Sequence, residues 1–219
     1  FDDCDFDLPK TTCIRPSDYN FDSPDASTGG IMNSHNESEE NYMSFVIIAA
    51  NNNGMACATD SRSTVGGTWF PKVENDETTK AFKNDYMLIV TYGPNKVNES
   101  DNKMEDVINR ILPNCTTPFE FSEAFRKVIT DTKIYCFFIA WQNKIYEFKI
   151  SKESVTYFFK DKCYDYINRS YLNSDVAFDY SFVDSADVLE DKCRKAVEQV
   201  IELCANAPYS YVGGPIKSY

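Results

Sequence analysis

Ser44 to Val65 read SFVIIAANNNGMACATDSRSTV, and this stretch decides the fold. It opens on SFVIIAA, an unbroken apolar run with β-branched and aromatic side chains, the composition of a buried strand rather than of one alternating between core and water. A polar turn, Asn51-Asn52-Asn53-Gly54, follows, and Met55-Ala56-Cys57-Ala58-Thr59-Asp60 reads as a second strand. The pattern predicts a hairpin.

Beyond it, a polar loop runs through Gly66-Gly67 to Lys80, and Tyr86 to Thr91 (YMLIVT) predicts another buried strand ending at Gly93. Met104, Val107, Ile108 and Ile111 share one helical face before Pro113 stops the helix. Thr117-Pro118-Phe119-Glu120 is a capping box with Pro in the first turn, followed by Phe121, Ala124, Phe125 and Val128 along one side. Strands are expected over Ile134–Trp141, Lys144–Ile150 and Ser154–Phe159, the middle one with one covered face and one facing water. Cys163 to Val183 carries no clear period. A long helix from Ala186 to Ala205 places Leu189, Cys193, Ala196, Val197, Val200 and Cys204 on one stripe, and Gly213-Gly214 leads into a short final strand. Strand runs separated by helix runs give an α+β class, a four-layer αββα sandwich of two antiparallel sheets flanked by helices. Residues 1–43, rich in Asp, Ser, Asn and Pro, form an irregular N-terminal extension before a single domain at 44–219.

Composition narrows the function. The 219-residue chain carries 34 acidic and 22 basic side chains, a net charge of −12, which repels nucleic acid. A single histidine, His35, leaves His-based triads and His-rich metal sites without their usual member. The acidic start, Asp2 to Asp7, lacks the glycine and spacing of a calcium loop and reads as a solvated tail, so no metal and no cofactor is expected. No apolar run approaches the roughly 20 residues that cross a bilayer, so no membrane insertion is expected. The start at Phe1 suits a mature chain freed of its leader, or a trimmed one. Eight cysteines, Cys4, Cys13, Cys57, Cys115, Cys136, Cys163, Cys193 and Cys204, include no CxxC pair. With sequons at Asn36, Asn98, Asn114 and Asn168, they predict a secreted, disulfide-bonded glycoprotein. Cys193 and Cys204 lie roughly 16 Å apart along one helix and cannot bond to each other.

Three motifs in order resemble the proteasome-subunit family of N-terminal-nucleophile hydrolases, over Ser44 to about Ile216. They are Gly54 to Val65 (GMACATDSRSTV), Lys80 to Gly93 (KAFKNDYMLIVTYG), and Ala205 through Val212-Gly213-Gly214-Pro215-Ile216. The resemblance implies a nucleophile freed by self-cleavage as the new N-terminus, whose own α-amine is the general base. Ser44 falls at that place, with Lys80 as the positive charge, Asp60 as the partner holding Lys80, and Gly93 where a backbone N–H helps form an oxyanion hole.

The chain also departs from the pattern. Met43 precedes Ser44 where the family cleaves after glycine. The Gly-Ser-Gly segment is absent between Cys163 and Ser185, and Ala207 to Gly214 (APYSYVGG) replaces Arg-Asp-x-x-Ser-Gly-Gly. Non-catalytic ring subunits of the family share the extension, the Ser or Thr, and often the Asp and Lys. Two readings follow. In the first, the chain is a pseudoenzyme that assembles or binds, self-associating or joining homologous subunits; Ser44 is a strand-edge residue, Asp60 and Lys80 a structural pair bridging two strands, and Arg62 an anchor for the following loop. In the second, cleavage at Met43-Ser44 releases an N-terminal serine hydrolase. Tyr164, Tyr166, Tyr171, Tyr180, Tyr209, Tyr211 and Tyr219 belong either to an assembly surface or to core and rim.

Overall fold

A strand with no exposed residue needs a layer on each side, and Phe45–Asn51 (β1) is such a strand. Side chains alternate across a strand. Phe45, Ile47 and Ala49 therefore meet a helix layer, while Val46, Ile48 and Ala50 meet a second sheet. Each fully buried Phe or Ile contributes about 2 kcal/mol by leaving water.

A computed structural model describes residues 44–65, 72–98, 102–168, 178–181, 183–205 and 212–219. The expected extension, with Cys4, Cys13 and the Asn36 sequon, lies outside the described residues, as do Gly66-Gly67, Tyr171, Tyr209 and Tyr211. The remaining strands are β2 (Gly54–Thr59), β3 (Ser63–Val65), β4 (Lys72–Asn75), β5 (Ala81–Lys83), β6 (Met87–Tyr92), β7 (Tyr135–Trp141), β8 (Lys144–Ile150), β9 (Val155–Lys160), β10 (Tyr164–Asn168) and β11 (Lys217–Ser218). The helices are α1 (Met104–Ile111), α2 (Pro118–Arg126) and α3 (Ala186–Ala205). Sheet one runs β10-β1-β2-β11 and sheet two β5-β6-β7-β8-β9, all neighbours antiparallel, with β3-β4 a separate ribbon.

Three apolar cores stack between the layers. The stripe Leu189, Cys193, Ala196, Val197, Val200 and Cys204 of α3 covers sheet one. Val46, Ile48 and Cys57 face Leu88, Val90, Phe138 and Ile145 between the sheets. Beneath α1 and α2, sheet two presents Ile89, Phe137 and Phe148 to Ile108, Phe121 and Phe125. The order is helix, sheet, sheet, helix, the expected αββα sandwich.

Local chemistry explains the joints. Asn51 Oδ1 accepts the N–H groups of Asn53 and Gly54, closing the β1-β2 turn. A Cβ on Gly54 would lie 2.6 Å from the Cβ of Ala186, so glycine lets α3 start against β2. Gln142 and Asn143, with φ of 49° and 61°, form the turn between β7 and β8 that suits strand twist. The capping box is complete: Thr117 Oγ1 accepts from Glu120 N, and the Glu120 carboxylate accepts from Thr117 N.

Three expectations change. Val128 lies beyond α2, which ends at Arg126. The interval without a clear period contains β10, paired with β1. The face of β8 expected to meet water instead turns toward sheet one: Ile145 is in the inter-sheet core, and Glu147 accepts from the Tyr92 hydroxyl and pairs with Lys160. Among the described residues no helix is long and apolar enough to cross a membrane.

Candidate functional site

Asp60 immediately follows β2 of sheet one, and Lys80 immediately precedes β5 of sheet two. Their bond, Lys80 Nζ to Asp60 Oδ1 at 2.8 Å, therefore joins the two sheets. The side chains are 3% and 0% exposed.

Every acceptor of Asp60 is engaged. Oδ1 also accepts the Phe45 N–H at 2.9 Å, and Oδ2 accepts the N–H groups of Arg62 at 3.1 Å and Gly213 at 3.5 Å. Lys80 makes a second bond, 2.7 Å to the Arg62 carbonyl. Burial pushes the Asp60 carboxyl up, opposed by the Lys80 charge and by the Phe45 and Gly213 donors. It pushes the Lys80 amine down, helped by the nearby Arg62 charge and opposed by Asp60. Burial is the largest cause for both members of the pair, and the hydrogen bonds and the opposite charge of the partner work against it.

Arg62 anchors its loop, as expected, and also joins this cluster. Its Nε and Nη2 reach Asp76 Oδ1 at 2.6 Å and Oδ2 at 3.1 Å, a two-pronged pair that holds the Asp76 carboxyl below its ordinary value. The Gly213 carbonyl accepts from Ser61 N and Arg62 N at 3.1 and 3.0 Å. A Cβ on Gly213 would strike the guanidinium, 2.7 Å from its central carbon. Gly214 has φ +75°, and a Cβ there would sit 2.5 Å from both the Asp76 carbonyl and Ser61 Oγ. The double glycine lets the C-terminal segment lie on the Asp60 corner.

Ser44 is 4% exposed and adjoins the pair through its peptide link to Phe45, whose N–H is on Asp60. Gly93 follows β6 with φ +112°. Its strand reaches the site through Thr91 N–H, which donates to the Lys80 carbonyl at 2.8 Å. Among the described residues no hydrogen bond joins Gly93 itself to Asp60 or Lys80. The structure thus gathers Ser44, Asp60 and Lys80 and leaves Gly93 two residues along from the contact. Asp76 was not singled out in the sequence, where a loop acid 14 residues from Arg62 carries no motif.

The other candidates lie elsewhere. Cys57, Cys115, Cys163 and Cys193 carry free thiols. Burial pushes Cys57 up to about 12 and raises Cys193 further, which keeps both protonated. Cys57 faces the inter-sheet core and Cys193 the helix layer, so they occupy opposite sides of β2 and cannot bridge. Asn98 is a clamp: its Oδ1 accepts from Thr130 N at 2.6 Å and its Nδ2 donates to the Val128 carbonyl at 2.9 Å. Asn114 is exposed, after α1, and Asn168 ends β10. Tyr164, Tyr166 and Tyr180 pack against the α3 core, and Tyr219 against the inter-sheet core, rather than on an outer surface of their own. Among the described residues no group of three His, Cys, Asp or Glu side chains could hold a metal ion.

No protein-family model and no curated protein matches the chain. Among solved structures it is similar to Anbu, an ancestral beta-subunit, from Yersinia bercovieri, at 15% identity over 80% of each chain with a TM-score of 0.47. It is similar to Anbu from Hyphomicrobium sp. strain MC1, at 13% identity over 80% of each chain and 0.46. Eukaryotic HslV from Trypanosoma brucei is similar at 14% identity over 80% of this chain and 97% of that one, at 0.43. These are likenesses of fold at low identity. The helix-sheet-sheet-helix order is the sandwich expected from the sequence, and in it Asp60 holds Lys80 at the corner that Ser44 adjoins through Phe45.

Proposed function

We propose that this chain is a non-catalytic proteasome-like subunit that works by assembling or binding, with Asp60 and Lys80 as a staple between its sheets. The observation that carries the reading is the saturation of Asp60: four donors, all from this chain, occupy its two oxygens. Val212, just before the double glycine where the resembled motif has its serine, is fully buried in the apolar α3 core. While Ser44 stays amide-linked to Met43, it has no free amine to act as a base. Exposed Val188 and Leu203 on α3 and Phe159 on β9 supply apolar surface for a partner.

On this reading Ser44→Ala leaves thermal stability and oligomeric state unchanged, and the intact protein is unreactive to an electrophilic serine probe. Labelling that disappears in Ser44→Ala contradicts it.

One observation favours the second reading. The N–H following Ser44 shares Asp60 Oδ1 with Lys80, so cleavage at Met43-Ser44 would free an amine beside a lysine whose proton affinity burial has lowered. A chain made to begin at Ser44 tests it: hydrolysis of peptide or ester substrates that is lost in Ser44→Ala supports a latent hydrolase, and inactivity of both forms rejects it.

We also propose a secretory location, supported by the four sequons. Exposed Asn114 is the position best suited to a glycan. A mass loss on glycosidase treatment of natively expressed protein supports this, and an unshifted mass contradicts it.

A further inference from the structure

The five-stranded sheet ends at β9 among the described strands, and this edge is apolar. Its run Val155–Lys160 (VTYFFK) contains no Pro or Gly, and Phe158 and Phe159 are 36% and 50% exposed. An open, hydrophobic edge is a template for another strand. Its two faces carry aromatic rings. Phe159 lies 5.7 Å from Tyr146 and Tyr157 5.6 Å from Phe148 on one face, and Phe158 lies under the Lys149 ammonium on the other.

We propose that β9 pairs antiparallel with β9 of a second copy of this chain, about a two-fold axis through Phe158, fusing the two five-stranded sheets into one. The proposal rests on the assembly reading above. The axis follows from side-chain chemistry. With Phe158 opposite itself, each Tyr157 faces Phe159 of the other copy on the opposite face, so aromatic rings pair on both sides of the joined sheet. No like charges meet directly across a second copy in this register. Lys160 is the one Lys, Arg, Asp or Glu on the strand, and it is neutralised within its own chain by Glu147 at 2.5 Å and Asp165 at 3.1 Å. The flanking acids Asp161 and Glu153 fall opposite Val155 and Cys163, not opposite each other. A chain of net charge −12 thus meets its copy along an edge without an acid-acid contact.

Sedimentation of the full chain over a concentration series tests this. Phe158→Lys sets two ammonium groups face to face on the axis and weakens the dimer about 100-fold, with the circular-dichroism spectrum unchanged. Should that variant fail to fold, exposed Thr156→Lys, placed opposite Lys160 of the other copy, is expected to weaken the dimer in the same direction. Phe158→Cys forms, on mild oxidation, a covalent dimer that reductant reverses. A wild-type chain that associates while Phe158→Lys or Thr156→Lys associates equally well, with no cross-link in Phe158→Cys, overturns the β9 interface and leaves the assembly reading standing. A wild-type chain that stays monomeric throughout overturns the β9 interface and, with it, self-association as the form of assembly.

Discussion

Lys80 and Lys160 each tie sheet one to sheet two through a carboxylate, in opposite electrostatic settings. Lys80 meets Asp60 where neither side chain reaches water, and burial dominates: the amine is pushed down and the carboxyl up. Lys160 bridges Glu147 of β8 and Asp165 of β10, with side chains 27%, 13% and 20% exposed. Burial alone would raise Glu147 and lower Lys160, but hydrogen bonds to Lys160 and Tyr92 hold Glu147 down, and those to Glu147 and Asp165 hold Lys160 up. Partial access to water has turned the same chemistry from a costly pair into a favourable one.

Breaking the enclosed staple has the largest expected effect. Lys80→Met leaves the Asp60 carboxylate buried without its cation, a loss of about 3–5 kcal/mol and a drop of about 10 °C or more in melting temperature by calorimetry. Next comes the closure over it. Gly214→Ala must hold φ +75° and push the Asp76 carbonyl aside, for about 2 kcal/mol, read by chemical denaturation. Lys160→Met, at the half-open staple, costs about 1 kcal/mol because water and Lys149 remain to serve Glu147.

The smallest effect is in the pH profile. Glu147 binds its proton more weakly folded than unfolded, so it stabilises the protein above its ordinary 4.5 and loses that contribution as pH falls through the lower folded value. Glu147→Gln therefore flattens part of the acid limb below about pH 5, measured by denaturation at a series of pH values. An acid limb identical to wild type contradicts the assignment of Glu147 as the favourable member of the comparison.

The enclosed staple was legible in the sequence, and the half-open one was not. Asp60 and Lys80 sit inside motifs with recognisable spacing, and β1, β2 and α3 announce themselves by runs or periods that local composition sets. Glu147 alternates with Tyr146 and Phe148, which by itself reads as a solvent face; that the face turns toward sheet one depends on β10, a five-residue strand without a clear pattern. Asp76 escaped for a similar reason, since its partner Arg62 is brought to it by the β3-β4 ribbon and not by any local spacing. The double glycine was visible as a motif, but its physical cause, the guanidinium and carbonyl pressed against it, exists only in the folded corner.

Intact-mass measurement of the natively expressed protein after exposure to an electrophilic serine probe tests most directly whether the enclosed staple is structural. The structural account predicts a single species that retains Met43-Ser44 and carries no adduct. A species beginning at Ser44 and bearing one probe adduct would contradict it and make Lys80 and Asp60 part of a working site.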